Sequence, residues 1–162
     1  MIPDFYWLAP GRYQVRIEPQ ALARLLELCR EGWPRETGGI LIGHYSPELE
    51  TAFILDALPP PVDSRRGRTW LVRGMAGLAS QLDRLWRSVP RQHYLGEWHL
   101  HPDATPKPSR RDLDGMQAIA AGRDCAVPIL LLVGGSPRSG FRVGLWVFRR
   151  GQRPAQLAEA TR

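Results

Sequence analysis

Lysine is all but missing from this chain: Lys107 stands alone, and every other basic residue apart from histidine is arginine. The resulting net charge of +6 would suit a nucleic-acid surface only if it were gathered on one element. It is not gathered. Apart from Arg65-Arg66-Gly67-Arg68, in a loop-like stretch, the arginines are scattered. We therefore expect no nucleic-acid partner, and at most a protein partner with an acidic or carboxylate-bearing surface. Cysteine is equally scarce. Cys29 and Cys125 lie far apart and in no metal-binding spacing, which excludes a disulfide framework and a cysteine zinc site. Both are read as buried, reduced thiols. No apolar run approaches the roughly 20 residues that cross a bilayer, so no membrane partner is expected. Met1 to Pro10 lacks the basic start and continuous apolar core of a secretory leader, and the expectation is a cytoplasmic protein.

What is present suits one globular domain. At 162 residues and 43% hydrophobic, the chain can bury a single sizeable core. Residues 1–150 are read as that domain and 151–162 as a short polar tail free to fray. Tyr13 to Ile17 alternates as a strand. Pro19, suited to a first helical turn, opens a helix with Leu22, Leu25, Leu26 and Cys29 on one face. Glu36 to Tyr45 and Phe53 to Leu58 read as strands, and Pro59 to Trp70 as an arginine-rich loop. Gly74 to Val89 reads as a helix with Leu78, Leu82, Leu85 and Trp86 inward. Tyr94 to His101 is a strand, Ser109 to Ala121 a helix, and Ala126 to Val133 and Phe141 to Phe148 a hairpin turning at Gly134-Gly135-Ser136-Pro137. This order suggests an α+β or three-layer domain.

Chemistry concentrates in Gly96-Glu97-Trp98-His99-Leu100-His101-Pro102 and the Ser109-Arg110-Arg111-Asp112 that follows a proline-rich loop. His99 and His101 fall on one side of an extended strand, because side chains alternate with period 2. Two imidazoles can thus hold one metal ion, and Asp112 would add an anionic oxygen. Three protein ligands leave a fourth position for water, whose pKa zinc lowers to about 7. Glu36, beside Gly38-Gly39, is the candidate base for that water. Ser109 could donate to the oxyanion. Each part has an ordinary reading as well. A lone His-x-His is commonly just two strand histidines, and Ser109 with Asp112 is also a helix start with its N-cap and first-turn acid. Glu97 shares the face of His99 and is assigned a structural role.

Taken together, Glu36, His99-x-His101-Pro102 and Ser109-x-x-Asp112 resemble the JAMM (MPN+/JAB) metalloprotease motif, E…H-x-H-P…S-x-x-D. Glu36-Thr37-Gly38-Gly39-Ile40-Leu41-Ile42-Gly43 is similar to the family's glutamate strand, and the likeness extends from about Tyr13 to Phe148. The resemblance implies a three-layer α/β/α-like MPN fold, related to that of cytidine deaminases, with a mixed central sheet. It implies His99, His101 and Asp112 as Zn2+ ligands, Glu36 as general acid/base and Ser109 as the oxyanion-side donor. It implies an isopeptidase or peptidase cutting after the C-terminal glycine of a ubiquitin-like protein. The compact His-to-Asp interval is similar to bacterial members encoded beside ubiquitin-like, E1-like and E2-like proteins in antiphage systems. Leu100 replaces the serine or threonine common between the histidines, on the opposite strand face.

Other classes fit less well. An amidohydrolase barrel needs about 250 residues. A zinc deaminase needs H-x-E and P-C-x-x-C, and neither occurs. A non-haem iron triad shares two histidines and a carboxylate but has no use for Glu36. A non-catalytic MPN scaffold that binds partners usually lacks part of the ligand set, which this chain keeps. A substrate tail is expected to lie between the Pro59–Trp70 and Pro102–Pro108 loops, with Arg65, Arg66 or Arg68 near the partner.

Overall fold

The computed structural model describes residues 5–7 and 13–159. The strands are β1 (Phe5–Trp7), β2 (Gln14–Ile17), β3 (Thr37–Tyr45), β4 (Thr51–Ala57), β5 (Arg65–Arg66), β6 (Leu71–Val72), β7 (His93–Pro102), β8 (Ile129–Ser136), β9 (Gly140–Val147), β10 (Ala155–Gln156) and β11 (Ala158–Glu159). The helices are α1 (Pro19–Gly32), α2 (Leu78–Trp86) and α3 (Arg110–Ala121). Nine strands form one sheet in the order β10-β9-β8-β7-β3-β4-β2-β1-β11, and β5 and β6 pair separately. The large sheet is mixed: β2 runs parallel to β4 and β7 parallel to β8, while the other neighbouring pairs are antiparallel.

Period-2 alternation sorts the side chains to two faces. Ile129, Leu131 and Val133 of β8 join Leu25, Leu28 and Cys29 of α1 in one core cluster. Leu130 and Leu132 pack instead with Met116 and Ala120 of α3. Ile40 and Ile42 of β3 pack with Leu78 of α2. The result is an α+β domain in three layers, with α1 on one face of a curled mixed sheet and α2 and α3 on the other. Both thiols are buried and free. The expected α1 face is turned slightly: Ala21 and Leu28 are buried, whereas Leu22 and Leu26 are only partly covered.

Four local expectations change. The tail is held, since Ala155 and Gln156 pair with β9 while Ala158 and Glu159 pair with β1. Leu157 between them is buried, and its amide donates to the Leu145 carbonyl at 2.9 Å. The tail is polar but its backbone joins both edges of the sheet, and local composition carries no sign of such long-range pairing. The Pro59–Trp70 stretch contains β5 and continues into β6 as a small hairpin. Trp86 is exposed rather than inward, lying under the Arg91 guanidinium at 5.0 Å from the ring centre. Gly134 and Gly135 belong to β8, and the chain reverses beyond Ser136. A Cβ on Gly134 would lie 2.3 Å from the Ala104 carbonyl, so this glycine lets the proline-rich loop cross the strand end.

Candidate metal centre and its cavity

Strand β7 lies inside the sheet, flanked by β3 and β8, with His99 opposite Gly38 and Leu132. Trp98 and Leu100 are fully buried in the core on the α1 side. The alternate residues Glu97, His99 and His101 are thereby turned to the other face. Helix α3 delivers the third donor. Asp112, Met116 and Ala120 are its buried residues, spaced by four and so stacked along one helical face. Two of them pack on the sheet, and the third, nearest the N-terminus, meets the histidines.

The helix-start reading of Ser109 is the one its hydrogen bonds describe. Its Oγ accepts from the Asp112 amide at 3.1 Å, and its own amide donates to Asp112 Oδ2 at 2.8 Å, a reciprocal capping box. This box fixes the carboxylate that faces the histidines. His99 Nδ1 is 2.9 Å from Asp112 Oδ1, and His101 Nε2 is 3.2 Å from Oδ2. The three residues offer ligand atoms all within 4.8 Å of one another. Donors placed tetrahedrally at about 2.0–2.1 Å from a zinc ion lie about 3.4 Å apart, so the set fits a divalent metal in both chemistry and spacing. Burial by itself would raise the Asp112 pKa. Hydrogen bonds from His101 and His99 and from the Ser109 amide outweigh it and hold the carboxyl far below the usual range. An ionised oxygen donor is what a metal ligand requires.

A cavity of about 430 Å³ opens beside this cluster. Glu36, His99, Ser109 and Asp112 all line it. Glu36 immediately precedes β3, and its amide donates to the Gly67 carbonyl at 2.8 Å. Burial raises its carboxyl pKa, and Asp112 adds to the rise against the opposing pull of His101, His99 and Arg111. The direction is toward a group able to exchange a proton nearer neutrality. One wall is the hairpin, through Thr69, Trp70 and Leu71, and the other is α3, through Gly115, Met116 and Ile119. The Pro102–Pro108 loop, expected as a wall, lines a different cavity through Asp103, Ala104 and Thr105. Four of the five expected site residues thus line one cavity, and His101 joins them through its contact with Asp112.

The sequence reading missed Arg73, Leu71, Met116 and Ile119 as cavity residues. Helical spacing put Met116 four residues beyond Asp112, a usable signal; nothing local marked Arg73. Glu97 is where its phase with His99 put it, on the cavity side and almost wholly buried. Leu100 lies on the opposite face as expected.

A three-layer fold with a mixed sheet, a glutamate and a His-His-Asp cluster at one cavity is the arrangement of a JAB-type domain. Residues 18–147 match the model for prokaryotic homologs of the JAB domain, and the chain belongs to that family. It is 38% identical over 149 residues to the CD-NTase/cGAS isopeptidase of Enterobacter hormaechei subsp. hoffmannii (strain UCI 50), covering 91% of this chain and 82% of that relative. The solution structure of a protein from Desulfitobacterium hafniense aligns with a TM-score of 0.60 at 15% identity over 88% of each chain, a likeness of fold alone.

Proposed function

We propose that the chain is a zinc-dependent isopeptidase or peptidase that cuts after the C-terminal glycine of a ubiquitin-like protein. The observation that carries the proposal is the meeting of two imidazoles and a carboxylate within 4.8 Å, beside a cavity that His99 and Asp112 line together with Glu36 and Ser109. His99, His101 and Asp112 would hold the ion, and zinc when bound supplies Lewis acidity and lowers the pKa of water to about 7. Glu36 takes the proton of the attacking water and passes it to the leaving amine, which breaks the amide C–N bond. Ser109 Oγ already accepts from the Asp112 amide, so its hydroxyl hydrogen is left to donate to the oxyanion. The Thr69–Leu71 wall and α3 confine an extended glycine-ending tail between them.

The 38% identical relative named CD-NTase/cGAS isopeptidase supports a conjugate in which the ubiquitin-like protein is joined to an enzyme of that type. On this reading the chain works in the cytoplasm with E1-like and E2-like proteins, in an antiphage conjugation system. The test is a ubiquitin-like protein linked through its terminal glycine to a lysine side chain, incubated with zinc-loaded protein. Release of both free partners is expected. Binding without cleavage at full zinc occupancy would instead favour a non-catalytic scaffold.

A further inference from the structure

Beyond the metal ligands, the floor of the cavity carries a charged network with no part in the chemistry above. Glu97 sits two residues before His99 on the same face, with only 6% of its side chain exposed. Both of its oxygens are held by Arg73: Nε donates to Oε2 at 2.6 Å and Nη2 to Oε1 at 2.9 Å. Tyr94 Oη also donates to Oε1, at 2.8 Å, and Arg73 Nη1 donates to the Gly74 carbonyl at 2.8 Å. A two-pronged guanidinium–carboxylate contact fixes direction as well as distance. Arg73 immediately follows β6, so this contact ties the base of the β5–β6 hairpin to the strand bearing His99.

The tip of the same hairpin is tied elsewhere. The Gly67 amide closes the turn onto the Trp70 carbonyl at 2.9 Å, and the Gly67 carbonyl accepts from the Glu36 amide at 2.8 Å. Leu71, between these ties, lies where a Cβ on Gly38 would come within 2.7 Å of its Cδ2. Hairpin strands of two residues each are far too short to hold a position by their own pairing. Ser64 Oγ and the Asp63 carboxylate close the base of the hairpin on the Gly74, Met75 and Ala76 amides, and the ties to Glu97 and Glu36 are what fix the closed hairpin against the sheet.

We propose that Arg73 and Glu97 are positioning residues, which clamp the hairpin as a preformed wall and through Gly67 hold the backbone of Glu36 in register with the metal site. Resting on the isopeptidase reading for its kinetic arm, the clamp sets how a protein substrate's extended tail is confined and where Glu36 stands when the proton moves. Small displacements of a reacting group are costly: a misplacement of about 1 Å can lower a rate about 100-fold.

The test uses the full chain, loaded with zinc, and the double variant Arg73→Met/Glu97→Gln, which removes both charges together and leaves neither buried alone. Trypsin cuts after arginine, and Arg65, Arg66 and Arg68 report the hairpin directly. The clamp requires nicking at these arginines to accelerate about tenfold or more, following the population of the released hairpin. Cutting elsewhere and zinc stoichiometry should stay unchanged. Glycine-ending conjugate turnover should fall about tenfold or more, in kcat rather than in metal occupancy. Arg73→Lys keeps one charge without the two-pronged contact and should fall between. Nicking at wild-type rate in both variants overturns the clamp whatever the activity shows, and so does nicking that rises equally along the whole chain. If wild type itself cuts no conjugate, the isopeptidase reading fails while the proteolysis arm still decides the clamp.

Discussion

Gly38 lies directly beneath His99. A Cβ at that position would come within 2.7 Å of the imidazole Cδ2 and 2.5 Å of the Trp98 carbonyl oxygen. The two residues are partners across β3 and β7, so the imidazole can lie over the sheet only because its neighbour has no side chain. The β3 segment therefore meets the histidine cluster twice, with Glu36 just before the strand on the same cavity and empty space at Gly38.

Gly38→Ala should move His99 and weaken metal binding while leaving Asp112 and the α3 cap intact. Overpacking of this kind costs about 1–3 kcal/mol in stability. Zinc titration with a competing chelator checks the first effect and thermal unfolding the second; unchanged affinity would mean that the ring has room to spare.

His99→Ala and Asp112→Ala should each lose the ion at metal concentrations that saturate wild type. Removing zinc from wild type should lower its unfolding midpoint, since a ligand at about 100 times its Kd stabilises by roughly 2.7 kcal/mol. Elemental analysis of the purified variants is decisive, and one equivalent of tightly held zinc in both would break the ligand assignment.

Glu36→Gln is nearly isosteric and keeps the backbone bond to Gly67. Metal and fold should persist while kcat falls about 100-fold or more, the usual scale for a lost proton carrier. Turnover near the wild-type rate would leave the proton path to some other group.

Ser109 tests two roles separately. Ser109→Ala should cost about 1 kcal/mol through the lost N-cap and lower kcat as well. Ser109→Asp restores a strong cap acceptor but offers no hydroxyl hydrogen. It should recover stability without recovering turnover. Recovery of both would reduce Ser109 to a helix cap.

Burial pushes the Cys29 thiol from 9.0 up to about 12 and the Cys125 thiol up to about 11. The unfolded chain then releases these protons at lower pH than the folded chain does. Their contribution is fully present below pH 9 and is lost as pH rises from 9 towards 11 and 12, with a slope of up to about 1.4 kcal/mol per pH unit for each thiol. Denaturant unfolding from pH 7 to 11 should show this decline, flattened in Cys29→Ala. Native protein should also resist iodoacetamide at pH 8 until unfolded, and rapid labelling of either thiol would place it outside the core.

Local sequence carried much of the site because its rules act over a few residues. The alternation of Trp98 and Leu100 with His99 and His101 fixed which side chains share a face. Ser109 and Asp112, three apart, were bound to meet wherever a helix began. The distance from Glu36 to the histidines was bridged by resemblance, not by any spacing, because the 62 residues between Glu36 and His99 set no geometry by themselves.

The tertiary structure decided what depends on partners distant in the chain. Trp86 fits an amphipathic pattern yet stands exposed at the last residue of α2, with the Arg91 guanidinium over its ring. The polar tail holds both sheet edges through backbone hydrogen bonds, which are indifferent to side-chain polarity. Arg73 meets Glu97 across 24 positions, and no periodicity announces such a pair. By itself, the sequence determined which faces and helix ends bear the chemistry, since strand and helix repeats are local. Only the packed chain determined what stands opposite them, since that is set by which surfaces the whole chain can bury together.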